Sequence, residues 1–129
     1  MKRPDRNARP LSPHLTIYRP QINSVTSIFH RITGVGLVPG AALVVWWLLA
    51  ASTGDEYFEF ANRVMLSWPG RLVLVGSLWA LCYHLCTGIR HLFWDTGAGY
   101  AIPEINLSGW VVVASSLILT ALVLAAAVL

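Results

Sequence analysis

Charge is what this sequence has least of. Its 129 residues include nine Lys and Arg and six Asp and Glu, 12% in all, where a soluble domain carries roughly a quarter. No Asp, Glu, Lys or Arg occurs between Ile32 and Gly54, between Leu72 and Ile89, or from Ile105 to Leu129. Such runs exclude a disordered chain and argue against an ordinary water-soluble domain. Cysteine occurs only twice. Cys82 and Cys86 lie one helical turn apart inside the second run, which suits neither a disulfide framework nor a zinc site and reads as packing. The sequence also has no phosphate-cradling glycine loop, no nucleophile triad and no Cys/His cluster of metal-site spacing. Little chain is left over for a soluble substrate pocket, so any redox reaction must use a bound cofactor and a partner.

What is present are three apolar runs of spanning length. About 20 residues at about 1.5 Å each cross a hydrocarbon layer of roughly 30 Å. The fold class is therefore all-α, a single integral membrane bundle of three transmembrane helices. The expected spans are 27–51, 70–95 and 108–128, preceded by an N-terminal arm over 1–26 that Pro4, Pro10, Pro13 and Pro20 keep from being one continuous helix. Pro39, between Gly36 and Gly40, should kink the first span. The stretch from Gly54 to Gly70, with Tyr57, Phe58, Phe60 and Trp68, should skim the outer surface, and Trp46 and Trp47 mark that interface. Thr96 to Leu107 should form a second, irregular loop.

The net charge of +3 does not form a nucleic-acid-binding stripe. Lys2, Arg3, Arg6, Arg9, Arg19 and Arg31 precede the first apolar run, with Asp5 alone opposing them. This excess places the N-terminus in the cytoplasm and, after three crossings, the C-terminus on the other side; contact of the same residues with anionic lipid is compatible with it. A cleavable signal peptide is not expected, because the first run starts about thirty residues in and is too long for an apolar core of that kind.

Ionisable side chains inside a span are costly and mark cofactors, cavities or partners. His84, Gly88, His91 and Asp95 fall on one face of the second span. A neutral imidazole in a dry bundle is a good axial ligand for haem iron, and Gly88 would leave room for a flat macrocycle. A histidine hydrogen-bonded to a neighbouring helix, with Gly88 as a packing contact, fits the same spacing. Ser27, His30, Arg31 and Gly34 open the first span, and because the second span returns inward, the two clusters can meet near the cytoplasmic side. Together they offer donors for haem propionates or for a quinone head. Taken singly, Arg31, Arg90 and Asp95 are better explained as interfacial anchors that snorkel.

Three short motifs then stand in order: Arg9-Pro10-Leu11-Ser12-Pro13-His14-Leu15 with Ile17-Tyr18, Ser27-Ile28-Phe29-His30-Arg31-Ile32-Thr33-Gly34, and His84 with Gly88, Arg90-His91-Leu92 and Asp95. In this joint spacing the chain resembles the cytochrome b subunits of succinate dehydrogenase, the membrane anchors of respiratory complex II. The resemblance runs from about Arg9 to Asp95; beyond it the third span contributes length and hydrophobicity. It implies His84 as an axial ligand of haem b, its metal being the haem iron, with the other axial histidine supplied by a second hydrophobic anchor subunit. It further implies His30, Arg31 and His91 near the haem propionates, Ser27 and Arg31 in the ubiquinone site, and Asp95 in proton relay or an ion pair. The implied partners are that second anchor, the iron-sulfur subunit, the flavoprotein subunit and membrane lipid, with a trimer of the four-subunit unit in bacteria. The implied setting is the bacterial inner membrane, in the tricarboxylic acid cycle and aerobic respiration, with no catalytic residue for succinate in this chain. The rival readings are the anchor of a fumarate reductase or other quinone-linked dehydrogenase, and a small haem-free membrane transporter.

Overall fold

The three charge-free runs become the cores of three long helices. The computed structural model describes residues 10–128. Lys2, Arg3, Asp5, Arg6 and Arg9, on which much of the expected orientation rests, lie outside them. Helix α1 spans Ile22–Thr53, α2 Asp55–Leu66, α3 Trp68–Asp95 and α4 Ile102–Val128. α1, α3 and α4 are long and apolar enough to cross a membrane. At 32, 28 and 27 residues they extend to about 40–48 Å, longer than a roughly 30 Å hydrocarbon layer, so their ends reach the headgroups.

α1 begins at Ile22, five residues ahead of the expected span. Pro20 is the last residue that resists the helix, and Gln21 serves as its N-cap. Ahead of it the described part of the arm is non-helical and exposed; Tyr18 folds back and donates from its hydroxyl to Ser24 Oγ at 3.1 Å. α1 stays helical through Pro39. A proline there removes one amide donor from the ladder, a loss that neighbouring helices and side-chain hydroxyls can cover in a membrane.

The segment between the first two spans, expected as a loop, is a helix. Gly54, at φ 141°, turns the chain sharply after α1. Asp55 and Glu56 then occupy the first turn of α2 and Arg63 its last, charges that complement the helix dipole at both ends. Its apolar side buries Ala61 and Met65, and Trp46 on α1 donates from Nε1 to Tyr57 Oη at 3.0 Å. Trp46 also meets Phe60 edge-on at 6.5 Å, and Trp47 meets Phe58 at 5.6 Å. Ser67 caps α3 by accepting from the Gly70 amide at 3.2 Å, with Pro69 in the first turn where its missing N–H costs nothing.

At the opposite end α3 stops where Gly97 and Gly99 take positive φ of 83° and 81°. Trp94 closes this turn, donating from Nε1 to the Gly99 carbonyl at 3.2 Å while Tyr100 donates to the Trp94 carbonyl at 3.0 Å. α4 starts at Ile102, six residues before the expected third span, because Pro103 sits in its first turn, where it is tolerated, and the Glu104 carboxylate accepts from the Ala101 amide.

α1, α3 and α4 pack against one another, and α2 against α1 and α3. The core is made of small and hydroxylated residues: Thr26, Thr33, Ala50, Ala80, Thr87, Ser116 and Thr120 are all buried. The hydroxyls are satisfied by their own helices, as in Thr33 to Phe29 O at 2.8 Å and Thr87 to Tyr83 O at 2.9 Å. In lipid there is no hydrophobic drive to press helices together, so close approach at small residues and hydrogen bonds does that work. The outer faces carry the large apolar side chains instead, such as Val35 at 74% exposure and Leu122 at 61%. Lipid or partner helices can cover such faces; water would not.

Candidate functional site

Close approach of α1 and α3 builds the site. A Cβ on Gly34 would stand 3.0 Å from His84 Cε1, and one on Gly40 would stand 2.8 Å from Ser77 Oγ. Two glycines on α1 therefore let its backbone lie against side chains of α3, and the first of these contacts is with the central histidine. Between and beyond them, Leu37, Ala41, Val44, Leu74, Leu78 and Leu81 line an apolar groove that runs along the same pair of helices.

Three imidazoles meet beside Gly34. His30 stacks on His84, ring centroids 4.0 Å apart and planes 15° from parallel, and His91 lies 5.0 Å from His30 at 50°. All three are half-buried. Their planes stack or tilt, and among the described residues no group of three or more His, Cys, Asp and Glu is arranged to hold a metal ion. His84 is further fixed through Nδ1, which lies 3.2 Å from the His30 main-chain oxygen. A carbonyl can only accept, so Nδ1 is the donor of this bond, and in the neutral ring Nε2 is then the nitrogen with the lone pair. That is the state of a histidine prepared to ligate through Nε2, its orientation set by a backbone partner. One turn further along α3, a Cβ on Gly88 would meet nothing within 4 Å, so the backbone there is open for a flat group. The residues present fit a haem, which His84 would hold.

The other sequence-selected residues border this cluster. Ser27 is half-buried one turn before His30, Arg31 is exposed on the next position of α1, and Asp95 is exposed at the last residue of α3. Ser27 and Arg31, four residues apart, share a helix face.

Arg90, expected as a snorkelling anchor, is buried. The residue is 6% exposed, and its guanidinium donates from Nε to Ser108 Oγ at 2.9 Å, from Nη1 to Thr26 Oγ1 at 3.1 Å, and from Nη2 to Asn23 Oδ1 at 3.2 Å and the Ile105 carbonyl at 2.9 Å. The Trp94 ring covers it at 4.1 Å and meets His91 edge-on at 5.5 Å. A snorkelling arginine would extend to the headgroups; this one turns into the bundle. Tyr83 joins it, donating from Oη to the Thr26 carbonyl at 3.0 Å. The signal available beforehand was the position of Arg90, one residue from His91 and so about 100° round the helix from the histidine face.

A family model described as succinate dehydrogenase/fumarate reductase transmembrane subunit matches residues 5–123. The chain belongs to that family. It is 48% identical over 116 residues to the succinate dehydrogenase cytochrome b556 subunit of Rickettsia typhi, covering 90% of each chain. The subunit of the same name from Paracoccus denitrificans is 48% identical over 120 residues, 93% of this chain and 92% of that one. The mitochondrial cytochrome b560 subunit of Mus musculus is 41% identical over 110 residues, 81% of this chain and 63% of that one. The similarity reaches nearly the whole chain, α2 and α4 included, well beyond the three motifs. Members of this family are membrane subunits of an oxidoreductase, in keeping with the three apolar helices.

Proposed function

We propose that this chain is the cytochrome b anchor of a succinate:ubiquinone oxidoreductase, carrying one haem b at His84 and forming part of the site where ubiquinone is reduced. The observation that carries the reading is the His84 imidazole, held by the His30 carbonyl with Nε2 free, on an α1–α3 face left open at Gly88. The cytochrome b556 names of the bacterial relatives support it.

Haem b, when bound, supplies a one-electron carrier at this end of the bundle. His84 would hold the iron, and the hydrogen bond from Nδ1 to the His30 carbonyl keeps its ring in place. His30, Arg31 and His91 provide donors and positive charge for the propionates. Ser27 donates a hydrogen bond to a quinone carbonyl, and Arg31 favours the negative charge that develops on the quinone as it is reduced. Asp95 serves in proton relay or in an ion pair at the same end. The chain does no succinate chemistry. Flavoprotein and iron-sulfur subunits would deliver the electrons, and a second hydrophobic anchor would supply a further histidine for the haem and cover the open face, with lipid around the rest and a trimer as the bacterial assembly. The protein sits in the bacterial inner membrane with its N-terminus cytoplasmic and its C-terminus periplasmic, within aerobic respiration and the tricarboxylic acid cycle. The family description also covers fumarate reductase; dependence on menaquinone instead of ubiquinone would favour that second reading.

The test is the His84→Ala variant of the complex purified with its co-purifying subunits. Loss of the reduced-minus-oxidised b-type spectrum, with the subunits still associated, is the expected result. A spectrum equal to that of the parent overturns the assignment.

A further inference from the structure

Arg90 is a buried cation whose four hydrogen bonds all go to neutral acceptors. Burying a charge without a counter-ion is expensive, and it is tolerated where nearly every donor is used. Here four of five N–H groups are placed and the flat face rests on Trp94. Holding three helices together does not require this, since Gly, Ser and Thr contacts already do so elsewhere in the bundle. What the planar fork adds is fixed geometry, because its donors point in set directions.

Two of those donors reach α1 at Asn23 and Thr26, three residues apart and therefore on one turn. Tyr83, seven residues before Arg90 and so two turns away on α3, takes hold of the same turn through the Thr26 carbonyl. The next residue of α1 is Ser27, and His30 and Arg31 follow within a turn and a half. The remaining two bonds, to Ser108 and the Ile105 carbonyl, tie Arg90 to α4.

We propose that Arg90 is a positioning residue for the quinone end: its bonds to Asn23 and Thr26 set the rotation and depth of the first turns of α1 against α3, and so aim Ser27 and Arg31. The inference rests on the quinone-site reading given above. It separates the two sides of the clamp. The α1 bonds govern quinone binding, whereas the α4 bonds only anchor the guanidinium.

The test uses the purified complex with a short-chain ubiquinone analogue, rates being normalised to succinate oxidation with a soluble artificial acceptor. Thr26→Val removes the Oγ1 acceptor at nearly constant shape, and Arg90→Lys keeps the charge but loses the fork. Both are expected to raise the quinone KM at least threefold with a smaller change in kcat. Ser108→Ala removes the bond on the α4 side and should leave the KM within twofold of the parent. Ser27→Ala reports on the quinone site itself and should raise the KM. An unchanged KM for Thr26→Val beside a raised one for Ser27→Ala overturns the positioning role and leaves the quinone site standing. Equal rises for Thr26→Val and Ser108→Ala overturn it as a general loss of packing. An unchanged KM for Ser27→Ala overturns the site reading, and the proposal with it. Where Arg90→Lys does not assemble, Thr26→Val decides.

Discussion

At Gly34 a single methyl group would come to 3.0 Å from His84 Cε1, closer than ordinary carbon contacts of about 3.5–4.0 Å. Alanine there forces the imidazole to yield slightly, and valine drives it off the His30 carbonyl. Gly34→Val should therefore lower the haem content of the purified complex and shift the absorbance of the haem that remains, as read by difference spectra and haem extraction. Gly88 behaves oppositely within this chain, since a Cβ there meets nothing within 4 Å. Gly88→Leu should leave the chain folded and assembled yet deplete haem, and full haem occupancy in that variant would mean that the macrocycle lies elsewhere. The histidines were legible as residues because an imidazole in an apolar run is conspicuous. The hold on His84 was not: it comes from a main-chain oxygen 54 residues away, and no local pattern announces which carbonyl a ring will find. Arg90 was misjudged for the same reason, its acceptors lying 64 and 67 residues back in the chain as well as ahead in α4.

Among the elements, α2 is the one that periodicity left unread. Twelve residues with three acids, an arginine and several aromatics have no long apolar run, and a helix of that length draws its stability from docking more than from propensity. The docking is visible in the Trp46 to Tyr57 bond and in the turn into α3. At that turn a Cβ on Gly70 would run into the carbonyl oxygens of Val64 and Met65, so any other residue must open the α2–α3 junction. Gly70→Ala should cost roughly 1–3 kcal/mol, within the range of local backbone strain, and lower the thermal midpoint of the solubilised complex. Because the change lies at the far end of α3 from the imidazoles, its haem spectrum should match that of the parent. The three long helices were legible throughout, since absence of charge over 18 or more residues leaves few alternatives. Their starts lie two to six residues further out than expected, and the end of α1 two, while α3 and α4 stop at the expected residues; caps, not hydropathy, decide where a helix begins and stops.

On the scale of the whole molecule, the proposed topology of three crossings would put the two ends of the chain on opposite sides of the membrane. A reporter active only in the periplasm should work when fused after Leu129. A cysteine placed at Ala98, in the turn between α3 and α4, should react with a membrane-impermeant thiol reagent only in inverted vesicles, and labelling in intact spheroplasts would reverse the proposed orientation. The count of spans could be read from composition, but the face that partner helices cover could not: large apolar side chains are exposed on α1, α3 and α4 alike, and lipid and protein place the same demand on them.

The bond between Trp46 and Tyr57 also acts as a depth gauge. If it marks the outer edge of the oil layer, then about 20 residues of α1, roughly 30 Å, lead back to the inner edge, and that count ends at Thr26. Ser27 then stands at the boundary itself, with His30 and Arg31 about one turn below it. An oil-soluble electron acceptor could dip only its polar head into the reaction zone and keep its hydrocarbon tail dissolved. It would be reduced without ever leaving the bilayer.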